Sequence, residues 1–96
     1  MKKLLSIVLA MTAFSATATE FNVGTGGEKG NYYDMMNDIN SYCSDQIGDN
    51  SLNVLTSGGS SDNLTGMMNK EYALGIVQTD VLYYFKRQMP NKVNAK

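Results

Sequence analysis

Three apolar segments of this chain are each followed at once by a polar junction, and each junction leads into a helix-like pattern. The junctions read TGGEKGN at 25–31, TSGGSSDN at 56–63 and QTD at 78–80. Strands that alternate with helices favour a parallel sheet with right-handed crossovers. The sequence therefore predicts a three-layer α/β fold, with the order βαβαβα around a short parallel sheet.

The element bounds follow from apolar periodicity and from the turn residues between the segments. We expect strands at Phe21–Thr25, Leu52–Thr56 and Ala73–Val77, and helices at Asn31–Ile47, Ser61–Lys70 and Val81–Gln88. The third strand is apolar at nearly every position, which is typical of a parallel strand buried on both faces. After Pro90 the segment 91–96 is polar, and we expect a disordered tail.

The first helix carries an apolar face with three- and four-residue spacing, which predicts that this face packs in the core. Its members are Tyr32, Met35, Met36, Ile39, Tyr42, Cys43 and Ile47. We expect Cys43 to be a buried free thiol, and the alternative is a bridge to a cysteine of another chain. Asn31, with Asp34 three residues later, is expected to cap this helix, and Thr79 or Asp80 to cap the last one.

Residues 1–18 have the pattern of a secretory signal peptide. Lys2 and Lys3 precede the apolar run Leu4–Phe14, and Ala16-Thr17-Ala18 supplies a small-x-small cleavage site. The run is shorter than the roughly 20 residues that span a membrane. The alternative is an amphipathic first helix of the mature protein. We expect a periplasmic protein whose mature part consists of one lobe at 19–90 and the tail.

Charge and residue usage exclude several classes of function. The formal net charge is −1, and it becomes −3 when Lys2 and Lys3 leave with the signal peptide, so no nucleic-acid footprint is visible. The chain has no histidine and one cysteine, which excludes a histidine-based triad and an internal disulfide. We expect neither an enzyme nor a cofactor. A phosphate-binding Gly-Lys-Ser/Thr triplet is missing, and Gly24, Gly26 and Gly30 fit a dinucleotide pattern only loosely.

The three junctions are candidates for binding an anion together. The carboxyl ends of parallel strands lie at one edge of a sheet, where ligands bind in α/β folds. Each helix start carries unsatisfied N–H groups and the positive end of the helix dipole. The starts after Gly30 and Ser60 can share one anionic group, and Lys29 can neutralise its charge. The alternative is that these loops are ordinary caps and turns between strands and helices.

The junctions also resemble those of the TAXI family, the extracytoplasmic solute receptors of TRAP transporters. That family has loops like T-G-G-x-x-G-T-Y-Y, T-G-G-S-x-E-N-L and L-V-Q-S-D-V-x-Y-Y. This chain reads TGGEKGNYY at 25–33, SGGSSDNL at 57–64 and IVQTDVLYY at 76–84. Order and spacing agree over nearly all of the mature chain.

The resemblance implies part of the first lobe of a type 2 periplasmic-binding fold. It implies a receptor that binds a small acidic solute, such as an amino acid or a dicarboxylate, and delivers it to the membrane subunits of a TRAP transporter. Carried over by position, the ligand-binding candidates are Thr25, Gly26, Gly27, Gly30, Asn31, Tyr32, Ser57, Gly58, Gly59, Ser60, Asn63 and Gln78. Asp80 matches as well, but a helix cap is the more natural role for a carboxylate near an anion.

This chain departs from the family in length, because its receptors have about three hundred residues in two lobes. We therefore expect a fragment or truncated form, for which a second chain would supply the missing lobe. The alternative function is a small exported structural or interaction protein that binds no solute, since the edges of an unpartnered sheet invite another chain.

Overall fold

The computed structural model describes residues 17–94. Residues 1–16, which hold most of the expected signal peptide, and residues 95–96 lie outside the described part. The elements are β1 (Glu20–Gly24), α1 (Asn31–Cys43), a 3-10 turn (Ser44–Gln46), β2 (Ser51–Leu55), α2 (Ser60–Met68), β3 (Leu74–Gly75) and α3 (Thr79–Gln88). The expected order βαβαβα is confirmed.

The three strands form one parallel sheet in the order β2-β1-β3. In the register, Phe21 is opposite Leu52 and Val23 is opposite both Val54 and Leu74. The chain thus passes from the central strand β1 to β2 on one side, and then crosses to β3 on the other side of β1. Right-handed crossovers in these two directions leave α1 and α2 on opposite faces of the sheet, which gives the three layers that the sequence predicts.

Close packing of α2 against the sheet depends on small residues. A Cβ atom built on Gly24 would lie 2.5 Å from Oδ1 of Asn63 and 2.7 Å from the Tyr72 ring, and one on Gly75 would lie 3.0 Å from Cε of Met67. The core around this contact is small. Val23 is 1% exposed and Leu64 is 5% exposed, so a few side chains provide most of the fully buried apolar surface.

The third strand is shorter and more exposed than its sequence suggests. It has two residues and pairs only with β1, although Ala73 and Ile76 extend the ladder by donating their N–H groups to Asn22 and Gly24. Leu74 is 50% exposed. The expectation of a strand buried on both faces is wrong, because β3 lies at the edge of a sheet too narrow to cover it.

The apolar face of α1 is also not a core face. The helix has no buried residue; Met35, Ile39, Tyr42 and Cys43 are exposed, whereas Tyr32, Met36 and Ile47 are half-buried. Three short strands offer less apolar surface than a helix of 13 residues can cover. The expectations of a core stripe and of a buried Cys43 thiol are therefore wrong.

The residues expected to cap α1 and α3 are not the N-caps of these helices. Gly30, in an extended conformation, is the N-cap of α1, and Gln78 is the N-cap of α3; neither helix start receives a side-chain capping bond. Asn31, Thr79 and Asp80 lie inside the helices, one position or more beyond the caps. The helix ends differ as well, since α1 stops at Cys43, where a 3-10 turn begins, rather than at Ile47.

Residues 91–94, which the sequence assigns to a disordered tail, form a turn against the helices. Lys92 and Val93 donate N–H groups to the carbonyl of Met89, and the Val93 side chain is 7% exposed. An apolar side chain in an otherwise polar tail is enough to fold these residues back. In the described range, no helix combines the length and apolar character that a membrane crossing needs.

Candidate functional site

The three polar junctions meet at the carboxyl ends of the strands, as the fold order predicts. Ser57 donates its backbone N–H to the carbonyl of Gly26 at 2.9 Å, which joins the second junction to the first. Gln78 donates its backbone N–H to Oγ of Ser60 at 2.9 Å, which joins the third junction to the second. These two hydrogen bonds fix the positions of the three helix starts relative to one another.

The Asn63 side chain joins the first two junctions to the backbone just before the third, from inside the protein. Its Nδ2 donates hydrogen bonds of 2.7 Å each to the carbonyls of Thr25 and Ile76, and its Oδ1 accepts one of 2.6 Å from Oγ of Ser57. The side chain is fully buried. Asn63 is one of the expected ligand-binding residues, but the structure gives it a different place: its polar atoms are spent inside the protein, so it positions the loops.

Thr25 has a similar internal role. Its Oγ1 donates to the carbonyl of Leu55 at 2.7 Å, its backbone N–H donates to the same oxygen at 3.1 Å, and the residue is fully buried. The hydroxyl that the sequence assigns to a ligand therefore closes the end of the pairing between β1 and β2. Burial of this group is satisfied by its bond to the backbone.

An open cavity of about 300 Å³ lies where the first and third junctions face each other. It is lined by six of the expected residues, namely Gly26, Gly27, Gly30, Asn31, Tyr32 and Gln78. The lining groups are backbone, amide and phenol groups, and none of these side chains carries a charge at neutral pH. The volume is at the lower end of the range for small-molecule sites.

The second junction lies beside this cavity and does not line it. Ser57 accepts a hydrogen bond of 3.1 Å from the N–H of Gly59, and Asp62 accepts one of 3.0 Å from the N–H of Gly58. Gly59 has a φ of +104°, a backbone conformation that only glycine adopts readily. The cavity is lined from the starts of α1 and α3. That the starts of α1 and α2 share an anion stays a prediction.

The electrostatics of the cavity come from the backbone. The first-turn N–H groups of α1 and α3 have no side-chain cap, and each helix N-terminus carries a partial positive charge. Lys29, in the turn between Gly27 and Gly30, is exposed and adds the nearest full positive charge along the chain. Against this, Asp34 and Asp80 lie in the first turns and offset part of the dipoles.

Gly27 lines the cavity and has free space beside its Cα atom. A Cβ atom on Gly27 would meet no atom within 4 Å, and its φ lies outside the positive range. An alanine side chain would therefore meet no steric obstacle at this position. Gly26 differs, since its Cβ would contact the Tyr32 ring at 3.6 Å.

Sequence reasoning missed two residues that shape the site. Asp62 binds the N–H of Gly58 and so fixes the second junction, and Tyr72 fills the space above Gly24 and Gly66. Aspartate at the third position of a helix is a recognisable signal for binding an N–H group that precedes the helix. No comparable pattern marks Tyr72, because its contacts depend on two glycines that are distant in sequence.

Comparisons with protein-family models, curated proteins and solved structures find no match for this chain. Among residues 17–94, no three cysteine or acidic side chains come together in a way that would hold a metal ion.

Proposed function

We propose that this chain is a solute-binding receptor, or one lobe of such a receptor, that binds a small carboxylate outside the cytoplasm for a TRAP-type transporter. The observation that carries the proposal is the cavity between the starts of α1 and α3, lined by uncharged polar groups and backbone. A carboxylate placed there accepts hydrogen bonds from helix N-terminal N–H groups, which is a common way to bind anions.

The arrangement of the loops supports a built site. Ordinary turns between strands and helices need no bonds to one another, whereas these three are joined through Ser57, Ser60 and Asn63. A rigid set of loops lowers the entropy cost of holding a ligand. The loops whose sequences resemble the TAXI family are the same loops that these bonds connect.

The openness of the cavity is consistent with one lobe of a receptor whose second lobe covers the ligand. The cavity is open to solvent on one side, and a small ligand in a typical site has most of its surface buried. We propose that a second lobe or chain closes over the same edge of the sheet. With one lobe alone, we expect weak binding, with a Kd of millimolar order.

Thermal unfolding in the presence of a panel of dicarboxylates, keto acids and amino acids tests the proposal. A ligand at one hundred times its Kd stabilises the folded state by about 2.7 kcal/mol. We expect at least one small carboxylate to raise the Tm, and a Tyr32→Ala substitution to remove this shift. Sodium chloride at matched ionic strength is the control for general salt effects.

The absence of a Tm shift with every compound at tens of millimolar would contradict the proposal. That result would favour the alternative function, a small exported structural or interaction protein without a solute. One observation supports this alternative, namely the number of large apolar side chains that remain exposed on the described surface, including Tyr42 at 84% and Tyr84 at 54%.

A further inference from the structure

A second surface lies at the opposite edge of the sheet, at the amino ends of the strands. An open recess of about 440 Å³ is lined by Phe21, Ile47, Asn50, Leu52, Ala73 and Leu74. Phe21 is the second residue of β1 and lies opposite Leu52, the second residue of β2. Leu74 is the first residue of β3. This recess, called the amino-end recess below, shares no lining residue with the candidate solute site.

The amino-end recess is apolar and exposed. Phe21 retains 37% and Leu74 50% of its accessible surface. Single exposed apolar residues are common, but apolar residues gathered in one concave patch mark an interaction site. Because three different strands contribute to the patch, it is a feature of the folded sheet rather than of one loop.

Acidic residues lie close in sequence to the residues that line the recess. Glu20 precedes Phe21, Asp45 and Asp49 stand on either side of Ile47, and Glu71 lies two positions before Ala73; all four are exposed. Among the described residues, Lys70 is the one basic residue within three positions of a lining residue. The segments that form the apolar recess therefore carry mostly negative charge.

This combination selects the kind of occupant. A second copy of the chain in a two-fold dimer would place the same acidic residues against each other, and such juxtaposition of like charges is unfavourable. A partner with basic residues next to apolar ones binds favourably for two reasons. Its apolar side chains fill the recess, and its positive charges complement the nearby acidic residues.

We propose that the amino-end recess is a docking site for a partner protein segment in which leucine-like side chains are flanked by lysine or arginine. Apolar side chains of the segment contact Phe21, Leu52 and Leu74. Its basic groups lie near Asp45 and Asp49, where they form exposed ion pairs that salt weakens. This interaction does not depend on the solute site and can occur whether or not a ligand is bound.

Fluorescence anisotropy with a labelled 14-residue leucine–lysine peptide tests the proposal on the full chain. A leucine–glutamate peptide of the same length and pattern is the matched probe. We expect the lysine peptide to bind at least ten times more tightly than the glutamate peptide. We also expect its affinity to fall several-fold when the salt concentration is raised from 50 to 300 mM.

Three variants locate the binding. We expect Leu74→Ser and Asp49→Lys each to weaken binding of the lysine peptide at least five-fold, and Tyr84→Ser, an equally exposed aromatic on α3, to leave it unchanged. Asp49 lies in an exposed turn, so its variant still reports on the site if Leu74→Ser does not fold.

Three results would overturn the proposal. The first is failure of the lysine peptide to bind. The second is equal loss of binding in Tyr84→Ser and Asp49→Lys, which would show that the peptide does not depend on the amino-end recess in particular. The third is a dimer in light scattering that Leu74→Ser dissociates, which would make a second copy the occupant.

Discussion

The backbone N–H of Gln78 donates a hydrogen bond of 2.9 Å to the hydroxyl of Ser60. Gln78 is the N-cap of α3, and Ser60 is the first residue of α2. The bond fixes the start of one helix to the start of another, although the two residues are 18 positions apart in the chain. Because Gln78 also lines the cavity, the geometry of the candidate site depends on a side chain that does not itself line it.

Replacement of Ser60 by alanine should therefore affect binding more than stability. We expect Ser60→Ala to lower the free energy of unfolding by about 1 kcal/mol, the usual contribution of one hydrogen bond. We expect it to weaken carboxylate binding several-fold, because Gln78 loses its anchor. Urea unfolding and ligand titration measure the two effects. Ser61→Ala, on the exposed side of the same turn, is the control, and equal effects of both variants would contradict this role.

Asn63 should be among the most sensitive positions in the chain. Asn63→Leu keeps the number and branching of the side-chain heavy atoms but leaves the carbonyls of Thr25 and Ile76 and the hydroxyl of Ser57 without their partner. Unsatisfied buried groups cost about 1–3 kcal/mol each, so we expect a loss of roughly 3 kcal/mol or more. Urea unfolding measures it. Asn37→Leu, an exposed position on α1, should change stability by less than about 0.5 kcal/mol.

Two glycines that both lie near strand ends should differ sharply in their response to alanine. We expect Gly24→Ala to destabilise the fold by about 1–3 kcal/mol, the cost of overpacking, because the new methyl group would lie 2.5 Å from Oδ1 of Asn63. Gly27→Ala meets no neighbouring atom and should be neutral or slightly stabilising. Thermal unfolding of both variants checks the difference, and similar Tm values would show that the contact between β1 and α2 is looser than described.

The exposed face of α1 gives a fourth prediction. Tyr42→Ser should leave the free energy of unfolding nearly unchanged, since Tyr42 is 84% exposed. Leu64→Ala, at 5% exposure on α2, should cost about 2–5 kcal/mol, as deletion of a buried leucine side chain usually does. Chemical unfolding compares them. A large loss with Tyr42→Ser would restore the interpretation of this helix face as core.

The order of elements and the meeting of the junctions could be predicted from sequence, because both follow from alternation of strands and helices and from the handedness of crossovers. The positions of individual side chains could not. Thr25 and Asn63 stand in polar junctions like their neighbours, yet their side chains point inward and bind backbone groups. Whether a polar residue faces a cavity or the protein depends on contacts between loops that are far apart in sequence.

The apolar face of α1 shows a second limit. Spacing identifies which residues share a face, but not whether the rest of the chain has enough surface to cover it. Here Met35 and Ile39 remain 45% and 41% exposed, because three short strands offer less apolar surface than this helix could cover. Periodicity also predicts the start of α1 correctly, whereas the helix has no side-chain cap because its N-cap, Gly30, has no side chain.

Calorimetric titration of the Gly27→Val variant tests the central claim most directly. Gly27 lines the cavity, and the first side-chain atom at this position would meet no other atom within 4 Å, so we expect the effect of the variant on a ligand to be separate from its effect on folding. With a carboxylate that raises the Tm of the unmodified chain, we predict that Gly27→Val abolishes measurable binding and retains the normal Tm without ligand. Glu28→Val, at the neighbouring exposed position, should not weaken binding. Unchanged binding to Gly27→Val would show that the ligand does not occupy the space between the starts of α1 and α3, and would contradict the account.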